Sequence, residues 1–214
     1  MVPYVKIPFS TKGLQIGSAT VLASAILDQE QTEFPPNTLY AEGWTLVLFN
    51  LLYVGPVIYA CVQPSYMAKS LFRNVLDTCS MVVIHSGLYN VVHRIMHRVR
   101  AFRPIHNIHH QFKDVVVSSS ANAVSVQEFL WAYMMPFVVG VHLIHPTESA
   151  LFASTSIVSA FNLLVHSPHL STQKWISWFV SPSEHLTHHK TRTPSYSAPT
   201  FHWGRIWSKV THAK

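Results

Sequence analysis

The chain carries one pattern twice. His-x-x-His-His occurs as His106, His109 and His110 and again as His185, His188 and His189, with a His-x-x-x-His pair, His93 and His97, just upstream. On a helix, residues three and four apart share a face, so each pattern can aim two or three imidazoles at a common point. Imidazole is the commonest metal ligand, and a cage of histidine without thiolate or carboxylate suits iron, zinc, copper or nickel rather than magnesium or calcium. One histidine pair on an apolar face is more often a satisfied core pair; three grouped patterns shift that balance. Eight imidazoles exceed what one ion accepts, so the sequence implies two metals.

The elements that hold these residues are read from composition. Of 214 residues 49% are hydrophobic and 11% charged, which with long apolar stretches indicates an all-α integral membrane protein. The uncharged segment 44–62 matches the roughly 20 residues that cross about 30 Å of hydrocarbon. Segment 75–92 carries Asp77 and His85 and leads into the first histidine pair. The shorter runs 129–144 and 150–165, parted by the turn-prone His145-Pro146-Thr147-Glu148-Ser149, form a hairpin that leaves the membrane on the side it entered. The expected architecture is about four transmembrane or hairpin helices under a cytoplasmic, histidine-rich di-metal cap. Residues 1–43 are an N-terminal segment and 44–214 the membrane domain. The run 14–27 is short and rich in small residues, so an interfacial or loosely packed helix fits it as well as a span, and no basic leader or cleavage pattern marks it for removal.

Positive charge sets the orientation. Arg94, Arg98, Arg100, Arg103 and Lys113 surround the first patterns, and Lys174, Lys190, Arg192, Arg205, Lys209 and Lys214 follow His166. By the positive-inside rule both histidine-bearing segments face the cytoplasm; Lys69 and Arg73 argue the other way and are outnumbered. The net charge of +6 reads as topology and contact with anionic headgroups, not as nucleic-acid binding. Cys61 and Cys79 offer no disulfide framework and are expected as buried thiols. The tracts near Pro35 and Pro194 read as loops, and neither a solenoid repeat nor a glycine-rich phosphate loop is present.

The order of these patterns resembles the fatty acid hydroxylase / sterol desaturase superfamily over roughly residues 75–208, about two thirds of the chain. Tyr89, His93, Arg94 and His97 match its Tyr-x-x-x-His-Arg-x-x-His. His106, His109 and His110 follow after a short arm, Asn162 and His166 match an Asn- or His-x-x-x-His after the hairpin, and His185, His188 and His189 precede Trp203. Three departures stand beside the agreement: Ser86 where an acidic residue is frequent, Trp203-Gly204-Arg205 in place of Trp-Asp-Arg, and Ser125-Val126-Gln127-Glu128 in place of His-Pro-x-Glu, keeping the glutamate.

The resemblance implies two iron ions, with zinc a substitute in purified material, held by His93, His97, His106, His109, His110, His166, His185, His188 and His189, with Asn162 a weak or water-bridged ligand. His85 and His169 read as supporting or interfacial, His142 and His145 as lying across the membrane, His202 and His212 as peripheral. The implied activity is dioxygen-dependent hydroxylation or desaturation of a lipid, a sterol or fatty acyl chain, with electrons from a separate reductase and a small haem protein or ferredoxin. The implied setting is the endoplasmic reticulum if the source is eukaryotic. Trp175 and Trp178 suit an interfacial lid or, equally, a membrane anchor. A catalytically inactive homologue, a metal-containing lipid-binding or scaffold protein, is the alternative. A zinc hydrolase lacks its His-Glu-x-x-His, and Glu184 is the one acid adjacent to a cluster.

Overall fold

A computed structural model describes residues 7–192, 196–197 and 199–212; the tract at Pro194, Lys214 and the side chains of Lys209 and His212 lie outside the description. The described residues form a helical bundle capped at one end. Helix α1 (Thr11–Gln29) begins at Ser10, whose hydroxyl accepts from Gly13 N–H. Its buried side carries Gly13, Gly17, Thr20 and Ser24. A Cβ at Gly17 would sit 2.0 Å from the Leu51 carbonyl oxygen, so the two backbones touch and only glycine fits, the close approach that small-residue stripes permit between membrane helices. At one end Lys12 pairs with Glu148; at the other, Asp28 accepts from Ser119 N–H and Tyr40 O–H, both at 3.0 Å. Nineteen residues at 1.5 Å each rise about 28 Å. The N-terminal helix therefore stands the full height of the bundle.

Helix α2 (Asn37–Cys61) descends from the cap. It is interrupted by a π-helical turn at Asn50–Val54, where Gly55 N–H reaches back five residues to Asn50. Helix α3 (Leu71–Arg98) ascends, α4 (residues 126–144) descends and α5 (Glu148–Val165) returns. Helix α4 has its own π-helical turn, Phe129–Met134, closed by Met135 N–H to Leu130. Each π turn ends two residues before a proline, Pro56 or Pro136. Proline cannot donate the next helical bond, and the wider turn absorbs the break.

Helices α2, α3 and α5 are long and apolar enough to cross a membrane, with only 28–39% of their apolar windows buried inside the protein. Their outward faces carry Phe49, Phe72, Val83 and Ile157, a surface too apolar for water and suited to hydrocarbon. The 129–144 and 150–165 hairpin forms as the sequence leads one to expect. Cys61 and Cys79 are exposed on the bundle, which corrects their reading as buried thiols: an apolar flank in this chain can belong to an outward-facing helix surface. At the end away from the cap, buried Asp77 binds Lys69 Nζ at 2.7 Å and Arg73 Nε at 2.9 Å. Lys69 also donates to His145 O, where the chain turns through a left-handed residue, φ 49°. The two cations that opposed the orientation rule are thus bound to a carboxylate.

The cap comprises residues 99–125 and the chain after α5. It holds a short helix Arg103–Asn107, a 3-10 turn His109–Gln111, a buried strip Ser118–Asn122, α6 (Pro182–Thr191) and α7 (Trp203–His212). A reciprocal capping box starts α6: Ser181 Oγ accepts from Glu184 N–H, and Glu184 accepts from Ser181 N–H.

Candidate metal centre

The nine histidines converge under the cap in two groups. His93, His97, His106, His110 and His188 form the first, and His109, His166, His185 and His189 the second; within each group the ligand atoms lie within 4.8 Å of one another. The repeated pattern is split rather than shared. His106 and His110, one turn apart, join the first group while His109 turns to the second; His185 and His189 join the second while His188 turns to the first. Each His-x-x-His-His therefore serves both groups, a finer arrangement than one aiming point per pattern.

Hydrogen bonds fix which nitrogen of several rings carries the proton. The Nδ1–H of His166 donates to Asn162 O at 2.7 Å and that of His189 to Phe112 O at 3.1 Å. A carbonyl only accepts, so both rings are Nδ1-protonated and both Nε2 atoms present lone pairs. Those two atoms face each other at 3.3 Å. In the first group His93 Nδ1–H donates to Tyr196 O and His106 Nδ1–H to Glu128 Oε1 at 2.7 Å, while their Nε2 atoms stand 3.0 Å apart. Opposed lone pairs repel unless a cation lies between them. Donors about 3 Å apart are what two imidazoles need to bind one ion at about 2.1 Å. The donor set, all imidazole, fits iron or zinc.

Electrostatics keep these ligands ready. Burial first, then the neighbouring imidazoles, hold His106, His109, His185 and His189 well below the ordinary histidine value. His110 is lowered to about 2 by burial, His188, His97 and Arg192, and His166 to about 4, chiefly by burial. All are neutral at pH 7, the form that binds metal.

The sequence profile of the family described as "Fatty acid hydroxylase" matches residues 78–209, more than half of the chain and all nine histidines. The chain belongs to the fatty acid hydroxylase family. No curated protein and no solved structure matches it. The matched region begins inside α3, so α1 and α2 lie outside it.

The other residues singled out in the sequence lie beside the centre or far from it. Asn162 gives its carbonyl to His166 and its Nδ2–H to Ala121 O. His85 donates from Nε2 to Tyr133 O inside the π turn of α4, outside both groups. His169 meets Gln31 at the surface, and His142 and His145 lie at the far end of the hairpin, both exposed. Ser86, at a position the family resemblance leads one to read as acidic, accepts from Trp203 Nε1–H at 3.0 Å and Phe201 N–H at 3.2 Å, and so ties α3 to the start of α7. Glu184 pairs with Arg205 besides capping α6, which leaves it no place as a hydrolytic base.

Sequence reasoning kept Glu128 as a family remnant without giving it a task. Ser125 caps its short helix, and the buried carboxylate orients His106. The carbonyls of Tyr196 and Phe112 have no side-chain signature and could not be read from the sequence. Two cavities adjoin the centre. An open one of about 470 Å³ reaches the first group between His97, His106, His110, Arg103, Arg192 and Tyr196. A narrow apolar one of about 50 Å³ lies in the bundle, and its lining includes Asn162.

Proposed function

We propose that this protein is a membrane-bound di-iron oxygenase that hydroxylates or desaturates a lipid, a sterol or fatty acyl chain, with dioxygen and electrons from a separate carrier. The observation that carries the reading is the pair of opposed, unprotonated Nε2 atoms in each histidine group, a repulsion that a bound cation removes. Two irons bound there would supply an oxidant able to take hydrogen from an unactivated C–H bond. Hydroxylation consumes the C–H bond, dioxygen, two electrons and two protons, and yields the alcohol and one water; desaturation removes two hydrogens and yields two waters.

The chain's own residues do the rest. Glu128 and three carbonyls hold His106, His93, His166 and His189 in the tautomer that aims Nε2 inward, the outer contacts that orient ligating imidazoles. The bundle excludes water from the second group, and the open cavity admits small reactants to the first. Arg103 and Arg192 at that opening, with Arg94, Arg98 and Arg100 nearby in sequence, favour a carrier, haem protein or ferredoxin, that is acidic where it docks. The positive-inside rule puts this face in the cytoplasm, of an endoplasmic reticulum membrane if the source is eukaryotic. In a protein whose Cys61 and Cys79 are replaced, cysteines at Lys113 and Lys190 should label from the cytoplasmic side and one at Tyr66 from the other. Labelling of the first two from opposite sides would overturn the topology.

The activity is tested with the full-length protein in lipid, loaded with iron and given reductant, carrier, labelled dioxygen and a panel of sterols and acyl lipids. A product that has gained one labelled oxygen or lost two hydrogens is expected. No product from metal-loaded protein would point instead to an inactive, lipid-binding homologue.

A further inference from the structure

Two stretches that supply no metal ligand meet on one side of the bundle. The tract 174–180 is bridged antiparallel to the residues that lead into α7: Val180 N–H donates to Thr200 O and His202 N–H to Trp178 O, both at 2.8 Å, and the rings of Phe179 and Phe201 stack at 5.2 Å. The pair is fastened to two spanning helices. Phe179 also stacks on Phe161 of α5 at 5.2 Å, and Trp203 Nε1–H donates to Ser86 of α3. Helical spacing puts Trp203, Ile206 and Trp207 on one face of α7 and Gly204, Arg205 and Ser208 on the other. Ile176, Trp178 and Trp207 are 69%, 57% and 71% exposed.

The height of the two attachments decides what covers these apolar side chains. At 1.5 Å per residue, Ser86 stands about 22 Å along α3 from Leu71, and Phe161 about 20 Å along α5 from Glu148. Lys69 and Arg73 mark the opposite boundary of the membrane, and the hydrocarbon is about 30 Å thick. Both attachments therefore fall inside it, short of the cap-side boundary. Trp207 lies one helical turn after Trp203, within about 6 Å of that height. Tryptophan favours the headgroup level. Charge agrees: residues 171–180 and 201–214 carry Lys174, Arg205, Lys209 and Lys214 and no Asp or Glu.

We propose that the 174–180 tract and α7 form one interfacial foot, seated in the leaflet on the cap side and selective for anionic headgroups. Ile176, Trp178 and Trp207 enter the boundary between headgroups and acyl chains, as the apolar side of an interfacial helix does, while the basic residues meet the negative surface of the leaflet. Trp175 and Trp178 thus belong to an anchor rather than a lid, and α7 is its second half. The foot bears on the metal centre through position alone: Arg205 pairs with Glu184 in the first turn of α6, the helix of His185, His188 and His189. It concerns the bilayer and not turnover, so it stands apart from the oxygenase reading.

The test reads depth. Full-length protein with Cys61 and Cys79 replaced receives one cysteine at a time, by Ile176→Cys, Trp178→Cys, Trp207→Cys or Ser208→Cys, is spin-labelled, and is reconstituted in vesicles of phosphatidylcholine with or without phosphatidylserine. Power saturation then compares collisions with dioxygen, which concentrates in hydrocarbon, and with a neutral nickel chelate, which stays in water. Labels at 176, 178 and 207 should favour dioxygen several-fold more than the label at 208, and phosphatidylserine should deepen all three. Labels at 176, 178 and 207 as open to the chelate as the one at 208 would overturn the proposal. So would spin–spin broadening between labels at 207, which would mean that a second copy covers the face, and equal depth in the two lipids would overturn the preference for anionic headgroups. In the wild-type protein, hydroxyl radicals should oxidise Trp178 and Trp207 several-fold less in phosphatidylserine vesicles than Tyr66, which is 92% exposed near the opposite boundary. Equal oxidation of the three would overturn the foot even if no labelled variant folds.

Discussion

The two histidine groups are built from the same repeated pattern but sit in different surroundings. The first has five imidazoles, a carboxylate behind His106, and an opening flanked by Arg103 and Arg192. The second has four, backed by the carbonyls of Asn162 and Phe112, all of them buried. A carboxylate partner makes an imidazole a stronger donor than a carbonyl does, and an opening exposes an ion to solutes that a sealed site excludes. On the proposed oxygenase reading, the first site would admit small reactants from solvent and the second would face the bundle interior. The two histidine groups thus share one ligand chemistry and differ in what surrounds them.

Removing a ligand should have the largest effect. His185→Ala should lower bound metal from two ions per chain to about one, with the second site lost, and His97→Ala should do the same at the first; each should abolish lipid oxidation. Metal analysis beside product assay checks this, and either variant keeping two ions and full activity would break the division into groups. Glu128→Gln should be milder and one-sided. It keeps an acceptor for His106 but removes the charge, so metal affinity at the first site should fall about 10–100-fold while the second site stays filled.

Acid down to about pH 5 should not separate the two groups at equilibrium. Burial lowers His110 in the first group and His166 in the second alike, to about 2 and about 4. In the unfolded chain these rings take up protons below about pH 6.5, while the folded protein takes them up only near the lowered values. Stability is therefore full above about pH 7 and falls as pH drops through 6.5 towards 4, by about 1.4 kcal/mol per pH unit for each such group. Thermal unfolding of the detergent-solubilised protein between pH 8 and pH 5 should show a Tm that declines with acid. A chelator that cannot cross the bundle should separate the groups by rate, removing the ion behind the open cavity first.

Much of this was legible in the sequence, because the histidine spacing and the hydrophobic runs are local signals. All nine histidines, the hairpin and the far-end placement of His142 and His145 could be read that way. The allocation of His109 and His188 to the opposite group from their sequence neighbours could not, since it depends on how two separate segments cross beneath the cap. Helix α1 was ambiguous for a related reason. Its buried face is Gly13, Gly17, Thr20 and Ser24, which lowers hydropathy while it permits the closest packing in the bundle. The π turns leave a trace in the sequence, Pro56 and Pro136 inside apolar runs, but proline alone does not distinguish a kink from a widened turn.

The smallest effect is expected at the mouth of the first group, and it is the sharpest test of which side carries electrons. Arg103 Nε–H donates to His97 O and Arg192 Nη2–H to Asn107 Oδ1, bonds that position the guanidinium groups and use a minority of their donors. Both side chains are exposed, so their pull on an acidic carrier is screened over about 10 Å at 0.1 M salt. Arg192→Gln, or Arg103→Gln, should slow carrier-supported oxidation several-fold at low ionic strength and hardly at all in high salt. Neither should alter oxidation supported by a small neutral reductant that needs no docking. If the loss were equal with both reductants, the arginines would be acting on the metal site through His97 and Asn107 and not on the carrier. If salt made no difference, the open cavity would not be where the carrier binds, and the contrast between an electron-facing first group and a lipid-facing second would lose its first half.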